Sequence, residues 1–174
     1  EISAIEKRRG HLFEIKFLNA ESVLLDQKTA IDNGIFVGQS LTALQLKSLK
    51  EQSDYQRAFS RAVWYIEQAD ISRRALKTKL LRAKFEEDVA EKVLERLCEL
   101  SLLNDEALAE RLAERLTENN ISFRAALSKM TAKGIDYTLA KAALESTERD
   151  TEAQIRAVIE KKYKNNNFYR VRQL

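Results

Sequence analysis

Ile71-Ser72-Arg73-Arg74-Ala75-Leu76-Lys77-Thr78-Lys79-Leu80-Leu81-Arg82-Ala83-Lys84-Phe85 returns 50 residues later as Ile121-Ser122-Phe123-Arg124-Ala125-Ala126-Leu127-Ser128-Lys129-Met130-Thr131-Ala132-Lys133-Gly134-Ile135. Ser72 falls on Ser122, Leu80 on Met130 and Phe85 on Ile135. Each stretch opens on a serine suited to cap a helix, continues as a short amphipathic helix and ends at a large apolar residue. The likeness extends in both directions. Helical patterns over Tyr55–Glu67 and Asp105–Glu118 come before, and Asp88–Leu100 and Asp136–Ser146 come after. The repeating unit is therefore about three helices long. Such a period predicts a helical array rather than a single bundle.

Toward the N-terminus the period changes. Over Leu12–Leu18, Phe13, Ile15 and Phe17 alternate with Glu14 and Lys16, which predicts a half-buried strand. Val23–Gln27 reads as the returning strand of a hairpin across the polar break Asn19–Ser22. Lys28–Asn33 is long enough for one or two helical turns, ended by Gly34 in the left-handed region. A lone hairpin is marginal in water, so this unit is expected to pack on the first helices. From Thr42, Leu44, Leu46 and Leu49 mark one helix. Ser53-Asp54 is expected to cap a second, whose Ala58, Phe59, Ala62, Val63 and Ile66 face a core.

Toward the C-terminus, Glu86-Glu87-Asp88 and Asn104-Asp105-Glu106 place acid at helix starts, where the helix dipole favours it. Asp150–Tyr163 reads as a further helix, Asn165-Asn166-Asn167 as a break, and Phe168–Leu174 as the opening of another. The expected organisation is a β-hairpin and leading helix over residues 1–53, three-helix repeats over 54–103 and 104–147, and a partial third repeat over 148–174.

Composition bounds the function. The 174 residues are 44% apolar and 33% charged, with no proline, as expected of a mostly helical chain with a core. Glycine-rich phosphate loops are absent from the sequence. His11 is the one histidine, at the mouth of a strand, and Cys98 the one cysteine, with no histidine near it in the sequence; no His, Cys and Asp cluster has metal-ligand spacing. Cys98, beside Leu94 and Leu97, is expected to be a small buried hydrophobe. No enzyme activity, cofactor or metal is expected. No apolar run approaches the roughly 18 residues of a membrane span. The chain opens at Glu1 without an initiator Met and reads as a fragment.

The net charge is only +3, and residues 148–174, with 7 basic and 4 acidic side chains, supply the whole excess. Local basic runs are more informative. Ser72–Phe85 holds six Lys or Arg and no acid. On a helical wheel Leu76, Leu80 and Ala83 form the core stripe, Arg73, Lys77 and Lys84 an adjacent one, and Arg74 lies beside it. This ridge suits phosphates or an acidic protein surface. Alternatively it pairs within the unit with Glu86, Glu87, Asp88, Glu91, Glu95 and Glu99 of the next helix. Lys161, Lys162, Lys164, Arg170 and Arg172 form a second such stretch, interleaved with Tyr163, Phe168 and Tyr169. That stretch suits nucleic acid or a protein groove, but also a solvated helix end over an unfinished core. Trp64 and Tyr65 are expected in the core.

In their order along the chain these pieces resemble the RecX family, regulators of the RecA recombinase. The resemblance runs from about Leu12 to Leu174. It rests on the hairpin, Asn33-Gly34-Ile35-Phe36-Val37-Gly38-Gln39-Ser40-Leu41, Ala58–Ile66 with Ile71-Ser72-Arg73, and Leu76 with Leu80. It continues through Leu97-Cys98-Glu99-Leu100-Ser101-Leu102-Leu103-Asn104-Asp105-Glu106-Ala107-Leu108-Ala109 and Lys133-Gly134-Ile135. It implies a mainly α protein of tandem three-helix repeats in an elongated, curved array. It also implies a monomeric, cytoplasmic, non-catalytic protein that binds the RecA–DNA filament and inhibits its ATPase, recombinase and strand-exchange activities in DNA repair and the SOS response. Arg73, Arg74, Lys77 and Lys84 are then one expected contact patch, and Lys161, Lys162, Lys164, Arg170 and Arg172 the other, for RecA or for single- or double-stranded DNA. Two departures stand out. Ala83-Lys84-Phe85 has lysine where glycine is usual, so its turn is expected to differ, and the third unit stops at Leu174 before its closing turn. The competing readings are a stand-alone DNA-binding helical protein and a helical-repeat scaffold for an unrelated protein.

Overall fold

The structure, a computed structural model, describes residues 1–147, 155–156 and 159–160. The chain divides into two compact units, Glu1–Leu103 and Asn104–Leu174. Three strands open the first: β1 (Ile2–Arg8), β2 (Leu12–Phe17) and β3 (Val23–Asp26), an antiparallel sheet in the order β1-β2-β3. The expected hairpin is β2–β3. The first strand was not expected, because a register shift between Ile2 and Ala4 breaks the period-2 signal. The shift lets Ile2 and Ile5, three residues apart, both join the sheet's core with Ile15 and Leu25.

Helix α1 (Gln27–Asp32) follows, capped by the Asp26 carboxylate, and Gly34 ends it at φ 58°. Next comes α2 (Ala43–Gln68), one helix of 26 residues. Thr42 and Gln45 close a reciprocal capping box at its start. The helix break expected at Ser53-Asp54 is absent. No glycine or proline interrupts 43–68, and Ser53 does not cap: it is buried, and its Oγ accepts the Asp26 N–H at 2.6 Å. Leu49, in the leading half of α2, seals the sheet core as expected of the β unit; Ala58 and Ala62, further along, belong to a second core.

That second core is made with α3 (Arg73–Arg82) and α4 (Glu87–Glu99). The second compact unit repeats it with α5 (Asp105–Glu118), α6 (Phe123–Ala132) and α7 (Tyr137–Ser146). The 50-residue step holds side chain by side chain. Ala58, Ala62, Leu76, Leu80, Ala90, Val93 and Leu94 are buried, and so are Leu108, Leu112, Ala126, Met130, Ala140, Ala143 and Leu144. The architecture is thus mainly α, in tandem three-helix repeats after a small sheet. Asp150–Tyr163 and Phe168–Leu174 lie largely outside the described residues; Ile155, Arg156, Ile159 and Glu160 are helical and exposed.

The turns between helices repeat as well. The N–H of Lys84 bonds to the Leu81 carbonyl at 3.0 Å and that of Phe85 to Leu80 at 3.3 Å. Gly134 bonds to Thr131 at 2.9 Å and Ile135 to Met130 at 3.2 Å. Both are Schellman turns, with φ 69° at Lys84 and 87° at Gly134. The turn after α3 therefore keeps the glycine geometry in spite of its lysine. Ser101 and Asn120 end α4 and α5 in the same left-handed way. Ser72 caps α3 through the Ala75 N–H at 3.3 Å, whereas Ser122 occupies the corresponding position without a side-chain cap bond.

Trp64 departs from its expected place. It is 47% exposed, because α2 turns its Ala58–Ala62 stripe inward and Trp64 sits two residues beyond that stripe, on another face. Tyr65 does pack against the core, and so does half-buried Cys98.

Two stability changes follow from the turns. A left-handed lysine costs about 1 kcal/mol relative to glycine. Lys84→Gly is expected to stabilise the protein by about 0.5–1 kcal/mol, and Gly134→Ala to destabilise it by about 1–2 kcal/mol. Urea unfolding midpoints measure both.

Candidate partner-binding surface

The basic run of α3 is placed by its apolar residues. Leu76 and Leu80 point inward and are fully buried, which turns Arg73 and Lys77 toward α4. Arg73 Nη2 donates to Glu91 Oε2 at 2.9 Å, and Arg73 Nη1 lies 3.9 Å from Cys98 Sγ. Lys77 Nζ donates to Glu87 Oε1 at 2.7 Å and sits 2.6 Å from Glu91 Oε1. Glu91 thus holds both cations. Its carboxyl lies below the ordinary carboxylate range, first through Lys77 and then through Arg73. Lys77 is raised, chiefly by Glu87 and then Glu91, and Arg73 is raised chiefly by Glu91. The internal pairing weighed as an alternative is therefore present for these two residues.

Arg74 and Lys84 differ. Both are exposed, and among the described residues neither makes an ion pair. Lys84 is not on the stripe of Arg73 and Lys77 as the wheel expected: α3 ends at Arg82, and the left-handed turn carries Lys84 off the helix. Lys161, Lys162, Lys164, Arg170 and Arg172 lie outside the described residues. The second unit does not reproduce the network. Phe123 and Leu127 stand where Arg73 and Lys77 stand, packed against that unit's core, and Lys141 replaces Glu91.

His11 is exposed in the turn between β1 and β2, at φ 59°. Among the described residues no His, Cys, Asp and Glu group could hold a metal, and no helix is long and apolar enough to cross a membrane. A basic and aromatic stripe on α2, of Arg57, Arg61 and Trp64, was passed over in the sequence. Its signal was available: the i, i+4, i+7 spacing beside the core stripe.

Comparison with known proteins addresses these same elements. The first three-helix domain of RecX matches residues 58–97, which span the second half of α2, α3 and most of α4. A regulatory protein RecX of Halalkalibacterium halodurans is 31% identical over 111 residues, 61% of this chain but only 41% of that protein's length. Another, of Clostridium tetani, is 25% identical over 170 residues, covering 94% of this chain and 74% of that protein. A crystal structure of regulatory protein RecX superposes with a TM-score of 0.66 at 19% identity, covering 98% of this chain and 87% of that one. RecX from Lactobacillus salivarius does so at 0.56 and 19% identity, covering 67% and 79%. This chain thus carries a RecX first three-helix domain, is similar in sequence to regulatory proteins RecX and shares the fold of the RecX crystal structures.

Proposed function

We propose that this chain binds the RecA–DNA filament and, without catalysis of its own, inhibits RecA's ATPase, recombinase and strand-exchange activities in the cytoplasm, so modulating DNA repair by recombination. The observation that carries this reading is the RecX three-helix domain at residues 58–97. A regulator built of repeated units suits a polymeric target. Several weak contacts tied together in one chain gain through effective concentration. Within the basic run of α3 and its turn, Arg74 and Lys84 are cations open to such a contact. Arg73 and Lys77 shape the same ridge while tied to Glu87 and Glu91. Lys161, Lys162, Lys164, Arg170 and Arg172 form the second patch, and the chain acts as a monomer.

The test is RecA's DNA-dependent ATPase as the protein is added. Inhibition at well below one protein per RecA is expected, and no effect at equimolar protein would sink the reading. Arg74→Glu with Lys84→Glu is expected to weaken inhibition without lowering the melting temperature. Arg73→Glu with Lys77→Glu is expected to lower it, because Glu87 and Glu91 then face like charge. Unchanged inhibition by the folded Arg74/Lys84 variant discards that patch.

A further inference from the structure

Arg57, Arg61 and Trp64 occupy successive turns of one face of α2. Together with His11, Asp26 and Phe85 they line a groove of about 400 Å³ beside the turn between β1 and β2, within the first compact unit. Cations and rings alternate there. The Arg57 guanidinium lies 5.9 Å from the Phe85 ring centre, and Arg61 lies 5.8 Å from that of Trp64. Trp64 meets Tyr65 edge-on at 5.2 Å and 62°, and nearly half its surface stays in water.

The charges around the groove leave it open to an anion. Among the described residues Arg61 has no carboxylate partner, and Arg57 has only the exposed pair with Asp54 at 3.1 Å, which is weak in water. Asp26, the acid lining the groove, is occupied at the start of α1, where it accepts the Lys28 and Thr29 N–H groups at 2.9 and 3.4 Å.

We propose that this groove binds a single-stranded segment of nucleic acid, with a base stacked on Trp64 and flanking phosphates on Arg57 and Arg61. Two arginines one helical turn apart sit about 5–6 Å from each other at Cβ, a separation suited to successive phosphates of one strand. An acidic protein would use the arginines and leave the indole idle; a nucleotide strand uses both. The inference deepens the filament reading by giving the nucleic acid a place on the first unit. It rests on other residues and is tested with no recombinase present, so either can fail alone.

Trp64 is the one tryptophan of the chain, so its fluorescence reports on this groove. Titration of the full chain with an oligothymidylate of about 12 nucleotides at low salt is expected to quench that fluorescence saturably. Arg57→Gln with Arg61→Gln is expected to weaken binding on the order of tenfold and to flatten its salt dependence, with unchanged circular dichroism. Heparin, a polyanion without bases, is expected to bind without quenching. For Trp64→Leu, anisotropy of a labelled oligonucleotide is expected to show about fivefold weaker binding or more. Absent quenching, equal quenching by heparin, or unchanged affinity in either variant would overturn the proposal.

Discussion

The continuity of α2 is the constraint on which the first unit depends. At 1.5 Å per residue its 26 residues extend about 39 Å, long enough to serve two cores in succession. Leu49 seals the sheet; Ala58 and Ala62 meet α3 and α4. Small residues at the second contact let the helices approach closely, and Leu76 and Leu80 fill the space from the other side. Ser53 stands between the two cores, where its buried hydroxyl satisfies the backbone N–H of Asp26 at the end of β3. An alanine there would strand that donor, at a cost of about 1–3 kcal/mol. The same continuity sets the Arg57–Arg61–Trp64 face beside the turn between β1 and β2.

The two three-helix units solve one packing problem with different side chains. In the first, the leading helix gives Ala58 and Ala62 and the second gives Leu76 and Leu80. In the second unit Leu108 and Leu112 face Ala126 and Met130. At Leu76 and Ala126 the second helix gives up volume that the leading helix gains, while Leu80 and Met130 are of similar size, the kind of exchange that close packing tolerates best. What joins the second and third helices also differs. Beside the buried core that each pair shares, Arg73 and Lys77 bond to Glu91 in the first unit, and Phe123 and Leu127 pack against the core in the second. One scaffold thus carries a charged seam in one copy and an apolar seam in the other.

Much of this was legible because its signals are local. The strand alternation of Phe13, Ile15 and Phe17 and the end of α1 at Gly34 each reside in one short window, and the 50-residue step relates two such windows side chain by side chain. What escaped depends on contacts distant in sequence. Ser53-Asp54 has the chemistry of a cap, but a cap needs the chain to leave the helix, and the sheet holds α2 straight through it. The first strand was hidden by its bulge. Lys84 looked unsuited to its turn, yet the bond from Phe85 to Leu80 and the packing of Phe85 against the core hold the left-handed geometry. Trp64 read as core because large rings usually are, while one residue of helical phase decides the matter. Of the candidate contact patches, the cations were visible as a run. Which of them were already engaged was not, because that depends on how α3 lies across α4.

Engagement matters more to binding than the count of basic residues. A net charge of +3 over 174 residues yields little long-range field, and salt screens exposed charges beyond about 8–10 Å. Any attraction to an anionic partner must therefore come from cations in contact with it. A cation already bonded to a carboxylate must first give up that bond, so Arg73 and Lys77 contribute less to a new contact than their number suggests. Arg74 and Lys84 carry no such cost, and Arg61 faces only a ring, which a stacked base and its phosphate could share. Within the basic run of α3, which cations are already engaged is therefore set by Glu87 and Glu91 of α4.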